Sequence, residues 1–273
     1  MTPSRIDAAL VARGLARSRG DAQELIRSGA VQLNETAVRK MSTPVRETDQ
    51  IVVRREGPLP VGRGAYKLEK AFELFGRTRE DPFDVGGQRC LDIGASTGGF
   101  TQVLLAHGAR EVTALDVGHG QLSPTLRSDP RVREESGRNI RETCAIDIDG
   151  PFPIIVGDLS FVSLALVMPA VAELIDDPGQ AVLLVKPQFE SGRNALDKNG
   201  VVRDPREHRR AICAVARSAR EQGLFPREIR TTGLPGRTGN HEYLMWITTR
   251  EELALTDDEA AADTAVDLPG RTR

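Results

Sequence analysis

The stretch CLDIGASTGGFTQVLL, residues 90–105, constrains this chain more than any other. A short apolar run ends at Gly94, glycines return at Gly98 and Gly99, and an apolar helical stripe follows. That order reads as a buried strand, a tight turn and a helix start. From about residue 64 onward the same alternation repeats. AYKLEKAFELF is an amphipathic helix with Leu68, Ala71, Phe72 and Phe75 on one stripe. RCLDIG, EVTALDVG, PIIVGDLSF and AVLLVKP are short apolar runs closed by polar or turn residues, with VSLALVMPAVAELI and REHRRAICAVARSAREQG as helices between or after them. Strands alternating with helices predict an α/β fold with a parallel sheet covered on both faces. FPREIRTTGLPG and HEYLMWITT, joined by a glycine turn, predict an antiparallel hairpin at the sheet edge.

Ligands of such sheets bind beyond the carboxyl ends of the strands, so the residues that end strands carry the functional signal. The first turn lacks GKS or GKT and is not a phosphate-gripping loop. Its spacing is Gly-x-x-x-Gly-Gly, with no obvious seat for a pyrophosphate, although its glycines let a ligand approach the backbone. Asp116 ends the next strand, 24 residues after Asp92, where an acid accepts hydrogen bonds from ribose hydroxyls. The turn fits a nucleoside cofactor, of which S-adenosylmethionine (SAM) is the commonest without a pyrophosphate. A purely structural turn and a modified dinucleotide site satisfy the same residues.

Other strand ends narrow this. Asp158 follows PIIVG, Lys186 follows AVLLV, and Glu242 stands near the start of the last strand. An antiparallel last strand begins at the edge where the parallel strands finish, so these three charges are expected in one crevice. Lys67 lies on the helix before the first strand, and geometry from sequence alone does not place it.

The front of the chain has a different character. In RIDAALVARGLARSRGDAQELIRSGAVQL, residues 5–33, Ile6, Ala9 and Leu10 share a helical face and Gly14 closes it. Ser18 is an N-cap for a second helix, with Asp21 as an acidic capping-box partner, Ala22, Leu25 and Ile26 as its stripe, and Gly29 as its stop. AVQLN and DQIVVRR then read as strands. Residues 1–60 hold ten basic against seven acidic side chains, a balance compatible with RNA. EGPLPVGRG, residues 56–64, reads as a linker. Residues 251–273 carry seven acids, two arginines and no aromatic, and are expected to be mostly disordered.

Several classes are disfavoured. Three cysteines stand far apart with no CxxC, and no HExxH is present, which argues against a disulfide framework or a metal site and suggests a reducing cytoplasm. The longest apolar stretch, Phe161 to Ile175, is too short to cross a bilayer, and MTPSRIDAAL lacks the order of a secretory signal.

Two resemblances follow from these motifs. Arg5-Ile-Asp7, Gly14-Leu-Ala-Arg17-Ser18-Arg19, Ala22, Leu25-Ile26, Gly29 and Val31 resemble the S4-type RNA-binding domain, with Asn34-Glu35 where that domain has Asn-Gly. The resemblance implies that Arg5, Arg17 and Arg19 hold RNA phosphates. Lys67, Asp158, Lys186 and Glu242 match the Lys-Asp-Lys-Glu set of the FtsJ/RrmJ-type ribose 2′-O-methyltransferases. With RGAYKLEKA, LDIGASTGGFT, GDLSFVSL, LVKPQFE and GNHEYL in order, residues 4–250 look like the TlyA family. Gly62 replaces a usual Ser and Pro153 a frequent Asp.

That resemblance implies a Rossmann-like SAM-dependent methyltransferase sheet over residues 64–250, behind an α+β S4-like domain at 1–55, a linker at 56–63 and the tail. It implies methylation of cytidine 2′-hydroxyls in 16S or 23S ribosomal RNA, or both, in the cytoplasm, with SAM as cofactor and no metal. Lys67, Asp158, Lys186 and Glu242 are the expected catalytic residues, with Lys186 hydrogen-bonding or deprotonating the hydroxyl. The expected cofactor residues are Asp92, Gly94, Ala95, Ser96, Gly98, Gly99, Phe100 and Asp116, with Asn139 and Asp147 bordering the adenine. Some members are labelled haemolysins, so a membrane-active protein is one rival reading; a non-catalytic RNA-binding protein is the other.

Overall fold

The structure is a computed structural model that describes residues 4–16, 18–54, 60–78, 80–236 and 238–266. The chain divides into two compact units, 1–63 and 64–273. Arg17 and residues 56–59 of the expected linker lie outside the described residues.

In the first unit, β1 (Ser4–Arg5) leads directly into α1 (Ile6–Ala12), and α2 is Arg19–Arg27. Ser18 caps α2 through an Asp21 N–H to Oγ bond of 3.2 Å. β2 (Val31–Leu33) and β3 (Thr36–Ala37) form a hairpin turned by Asn34 and Glu35, both at positive φ. β4 (Pro44–Val45) pairs with β1, and β5 (Ile51–Val53) pairs with β2. Ile6, Leu10, Ala22, Leu25, Ile26 and Val31 fill the core between helices and strands, as their spacing predicts.

The second unit opens with α3 (Gly64–Phe75), which buries Leu68, Ala71 and Phe75. Its sheet is built from β6 (Arg89–Ile93), β7 (Glu111–Asp116), β8 (Val132–Ser136), β9 (Phe152–Gly157), β10 (Ile175–Val185), β11 (Phe225–Thr231) and β12 (Tyr243–Thr248). The spatial order is β11-β12-β10-β9-β6-β7-β8. The five strands from β10 to β8 run parallel, while β12 lies antiparallel to both β10 and β11. This is the expected parallel sheet with an antiparallel edge. β8 was not anticipated, because VREES has only one apolar residue; it sits at the far edge, where one-sided pairing tolerates charge.

The connecting helices are α4 (Gly99–Ala106), α5 (Pro124–Arg127), α6 (Met168–Leu174), α7 (Pro187–Glu190) and α8 (Pro205–Glu221). Asp204 caps α8 by accepting the Arg206 N–H at 2.9 Å, with Pro205 at the first position. His208, Ala211, Ile212, Val215, Ala216 and Ala219 face the core and the arginines face out.

The tail differs from expectation. Asp257 caps α9 (Asp258–Ala265) by accepting the N–H groups of Glu259 and Ala260. Ala262 and Ala265 enter the core, while Asp258 pairs with Arg220 at 2.7 Å and Asp263 with Arg209 at 2.8 Å. Acids that look unpartnered in sequence have α8 arginines as partners, and alanine is small enough to pack flush. Residues 267–273 lie outside the described part.

Candidate active site

The chain winds outward from β6 through β7 to β8, then returns to β9 on the other side of β6. The crevice at the carboxyl ends of β6 and β9 is therefore the switch point where ligands of such sheets sit. The Gly94–Gly98 turn leaves β6 there, and Asp158 leaves β9 there. The two are packed together. Gly94 has φ +80°, and a Cβ on it would lie 3.0 Å from Leu159 Cδ2 and 3.3 Å from the Asp158 carbonyl oxygen. Gly98, at φ +91°, leaves even less room: a Cβ would lie 2.3 Å from Leu126 Cδ1. Both positions need glycine.

Four charged side chains converge on this crevice. Lys67 Nζ lies 2.8 Å from Asp158 Oδ2 and 2.8 Å from Glu242 Oε2. Lys186 Nζ lies 2.6 Å from Asp158 Oδ1 and donates to Ser160 Oγ at 2.9 Å. Asp158 thus stands between two ammonium groups. α3 packs against α4 and brings Lys67 in, which sequence alone did not place. Lys186 and Glu242 are both nearly buried, at the end of β10 and just before β12. Burial opposes charge on Lys67, but Asp158 and Glu242 outweigh it and raise its pKa above the usual lysine value. Burial likewise pushes the Asp158 carboxyl up, and Lys67 and Lys186 bring it below its ordinary value.

The cofactor side is a cleft lined by Ala95, Ser96, Asp116, Gln121, Glu134 and Ser136, among others. Asp116 accepts the Ser96 N–H at 2.8 Å and the Gly118 N–H at 2.7 Å, so it holds the turn and faces the cleft. The described lining contains two carboxylates and no basic side chain. That chemistry suits a diol and a cationic ligand and gives no counter-charge for a pyrophosphate. The residues present therefore fit SAM.

Asp92 is wholly buried. Its Oδ2 accepts the Thr101 N–H at 2.9 Å and the Thr101 hydroxyl at 2.7 Å, while Oδ1 has no hydrogen-bond partner among the described residues. Burial pushes its carboxyl up to about 7. It ties β6 to the first turn of α4, and Phe100 is likewise buried. Ala95 and Ser96 line the cleft; Gly99 begins α4. Asn139 and Asp147 both make local turn contacts. Asn139 caps a 3₁₀ turn through the Arg141 N–H at 3.2 Å, and Asp147 accepts the Cys144 N–H at 3.0 Å. Neither lines the cleft; Glu134 and Ser136 of the unanticipated β8 do.

Sequence reasoning also missed Phe161. It is 92% exposed at φ +64°, a conformation that bulky residues seldom adopt. Its ring lies 5.3 Å from that of Phe189, over which Lys186 Nζ sits at 5.8 Å. An aromatic exposed beside the charged cluster is visible only once β9 and β10 are adjacent.

In the first unit, Arg5 Nε and Nη2 donate to the buried Asp7 carboxylate at 3.0 and 3.1 Å, and Arg19 Nη2 lies 3.7 Å from it. Arg5 holds the Asp7 carboxyl below its ordinary value. Both arginines are more than half exposed, so Asp7 orients them without hiding them.

A family model for FtsJ-like methyltransferases matches residues 60–249, and one for the S4 domain matches residues 4–51. The 16S/23S rRNA (cytidine-2′-O)-methyltransferase TlyA of Mycobacterium tuberculosis is 44% identical over 93% of this chain and 92% of its own length. The chain belongs to the TlyA branch of the FtsJ-like methyltransferases. A TlyA-family relative named Hemolysin A, from Brachyspira hyodysenteriae, is 37% identical over 88% of this chain and 98% of its own. A solved Streptococcus thermophilus structure described as a candidate hemolysin superposes with a TM-score of 0.69 at 33% identity, covering 97% of this chain and 96% of that one. TlyA-family membership makes the chain a methyltransferase with a Rossmann-like fold, and SAM is its cofactor. Among the described residues, no helix is long and apolar enough to cross a membrane.

Proposed function

We propose that this protein methylates the ribose 2′-hydroxyl of a cytidine in ribosomal RNA, in the cytoplasm. The observation that carries this reading is the meeting of Lys67, Asp158, Lys186 and Glu242 beside the glycine turn. The M. tuberculosis relative is named for this reaction on both 16S and 23S RNA, which supports the substrate class.

When bound, SAM supplies a methyl on a positive sulfur, so the leaving group needs no acid. The protein's task is to align the hydroxyl and to stabilise charge on its oxygen as the proton leaves. Asp116 and the Gly94–Gly98 turn would hold the nucleoside part of the cofactor. Lys186 acts on the 2′-oxygen. Lys186 Nζ already donates to Ser160 Oγ and lies against Asp158, so the arrangement favours it as a hydrogen-bond donor to the developing oxyanion. Asp158 fixes both lysines, and Glu242 fixes Lys67. Alignment of this kind contributes up to about 7–11 kcal/mol in favourable systems. Phe161 offers an open aromatic face on which an unstacked base can rest. Arg5 and Arg19, with Arg17 by family resemblance, hold RNA phosphates.

Transfer of labelled methyl from SAM to purified ribosomal subunits tests the reading. Incorporation as 2′-O-methylcytidine supports it. RNA binding without transfer favours the non-catalytic alternative, and leakage from liposomes in place of transfer favours the membrane-active one.

A further inference from the structure

Glu190 ends α7, four residues beyond Lys186, and is more than half buried. Its Oε2 accepts the Ser163 hydroxyl at 2.6 Å and its Oε1 accepts the Leu164 N–H at 2.6 Å. Those donors open the 3₁₀ turn Leu164–Leu166, directly after the loop that carries Asp158, Ser160 and Phe161. Burial pushes the Glu190 carboxyl up, and hydrogen bonds from Ser163 and Leu164 partly offset that.

The loops leaving β9 and β10 are thus bridged twice. The first bridge is Lys186 to Asp158 and Ser160. On the methyltransferase reading, that bridge loosens whenever Lys186 engages a substrate oxygen. The second bridge, Glu190 to Ser163 and Leu164, does not involve the reacting groups. The loop also carries strain at Phe161, of the kind that survives only where neighbours over-determine it. We propose that Glu190 is a positioning residue that keeps Asp158, Ser160 and Phe161 aligned with Lys186 while Lys186 works. The inference rests on the function proposed above and adds to it a residue that touches no reactant.

The test compares Glu190→Ala and Glu190→Gln with the unaltered protein, using labelled SAM and ribosomal subunits. Glu190→Ala is expected to lower kcat by about 10–100-fold, the scale of a small misalignment, with KM for SAM unchanged. Glu190→Gln is expected to recover most of that loss, because its carbonyl accepts the Leu164 N–H and its amide donates to Ser163 Oγ. In a Phe161→Ala background the further loss from Glu190→Ala should shrink, since the residue acts through that loop. Hydrogen exchange of the Leu164 amide should accelerate in Glu190→Ala. Should that variant fail to fold, Ser163→Ala carries the same kinetic and exchange comparison.

Undiminished kcat in a folded variant overturns the inference and leaves the methyltransferase reading standing. A loss that matches the unfolded fraction, or that is fully additive with Phe161→Ala, also overturns it. No transfer by the unaltered protein overturns the methyltransferase reading and the positioning role with it.

Discussion

Lys186 Nζ lies 2.6 Å from Asp158 Oδ1, and the other oxygen of the same carboxylate receives Lys67 at 2.8 Å. One side chain on β9's exit therefore bridges two cations that arrive from β10 and α3, and Glu242 supplies the second negative charge at Lys67. Replacing Lys186 by Ala should lower kcat roughly 10²–10⁴-fold, the range of a lost proton-transfer or charge-stabilising group. Calorimetry should show SAM affinity little changed, because Lys186 does not line the cofactor cleft.

Asp158→Ala should destabilise the fold as well as inactivate it. It leaves two largely buried ammonium groups facing each other, and removing one member of a buried pair costs about 3 kcal/mol or more. Asp158→Asn keeps an acceptor and should lose activity with a smaller loss of stability. Urea unfolding of both variants decides the order.

Gly98→Ala combines a left-handed backbone with a Cβ in contact with Leu122 and Leu126. The strain alone is about 1–2 kcal/mol, and relief requires the turn or α5 to move. The expected result is a lower unfolding midpoint and at least tenfold weaker SAM binding by calorimetry.

Asp92 gives a signed pH dependence. Its folded carboxyl is raised to about 7 from a usual value near 3.8. Between those values the folded state holds a proton that the unfolded state releases, so the Asp92 contribution to stability falls as pH rises. Asp92→Asn should remove that slope. Denaturant unfolding between pH 4.5 and 7.5 should show the gap between unaltered protein and variant shifting in the variant's favour with pH. A constant gap contradicts the assignment.

Arg5 and Arg19 predict a salt effect. If each neutralises one RNA phosphate, Arg5→Gln should reduce the slope of log affinity against log salt by about 0.7–0.9. SAM binding should not change. Filter binding to ribosomal RNA fragments at several salt concentrations measures it.

How much of this was legible beforehand follows from which interactions leave a local trace. The strand-turn-helix around Gly94 and the strand-ending Asp158 and Lys186 were readable because period and punctuation are local properties. The antiparallel last strand placed Glu242 at the correct edge. Lys67 could be named by resemblance but not placed, because its position depends on how α3 packs on α4. The α9 helix and Glu190 were missed for one shared reason: their partners, Arg209 and Arg220 for one and Ser163 and Leu164 for the other, are supplied by tertiary structure.

The most direct measurement is a map of 2′-O-methyl groups on ribosomal RNA after incubation of unmethylated subunits with SAM and either the unaltered protein or Lys186→Ala. The account predicts a new 2′-O-methylcytidine with the unaltered protein and its loss with the variant. No new methyl, a methyl on a base, or equal modification by Lys186→Ala would contradict it.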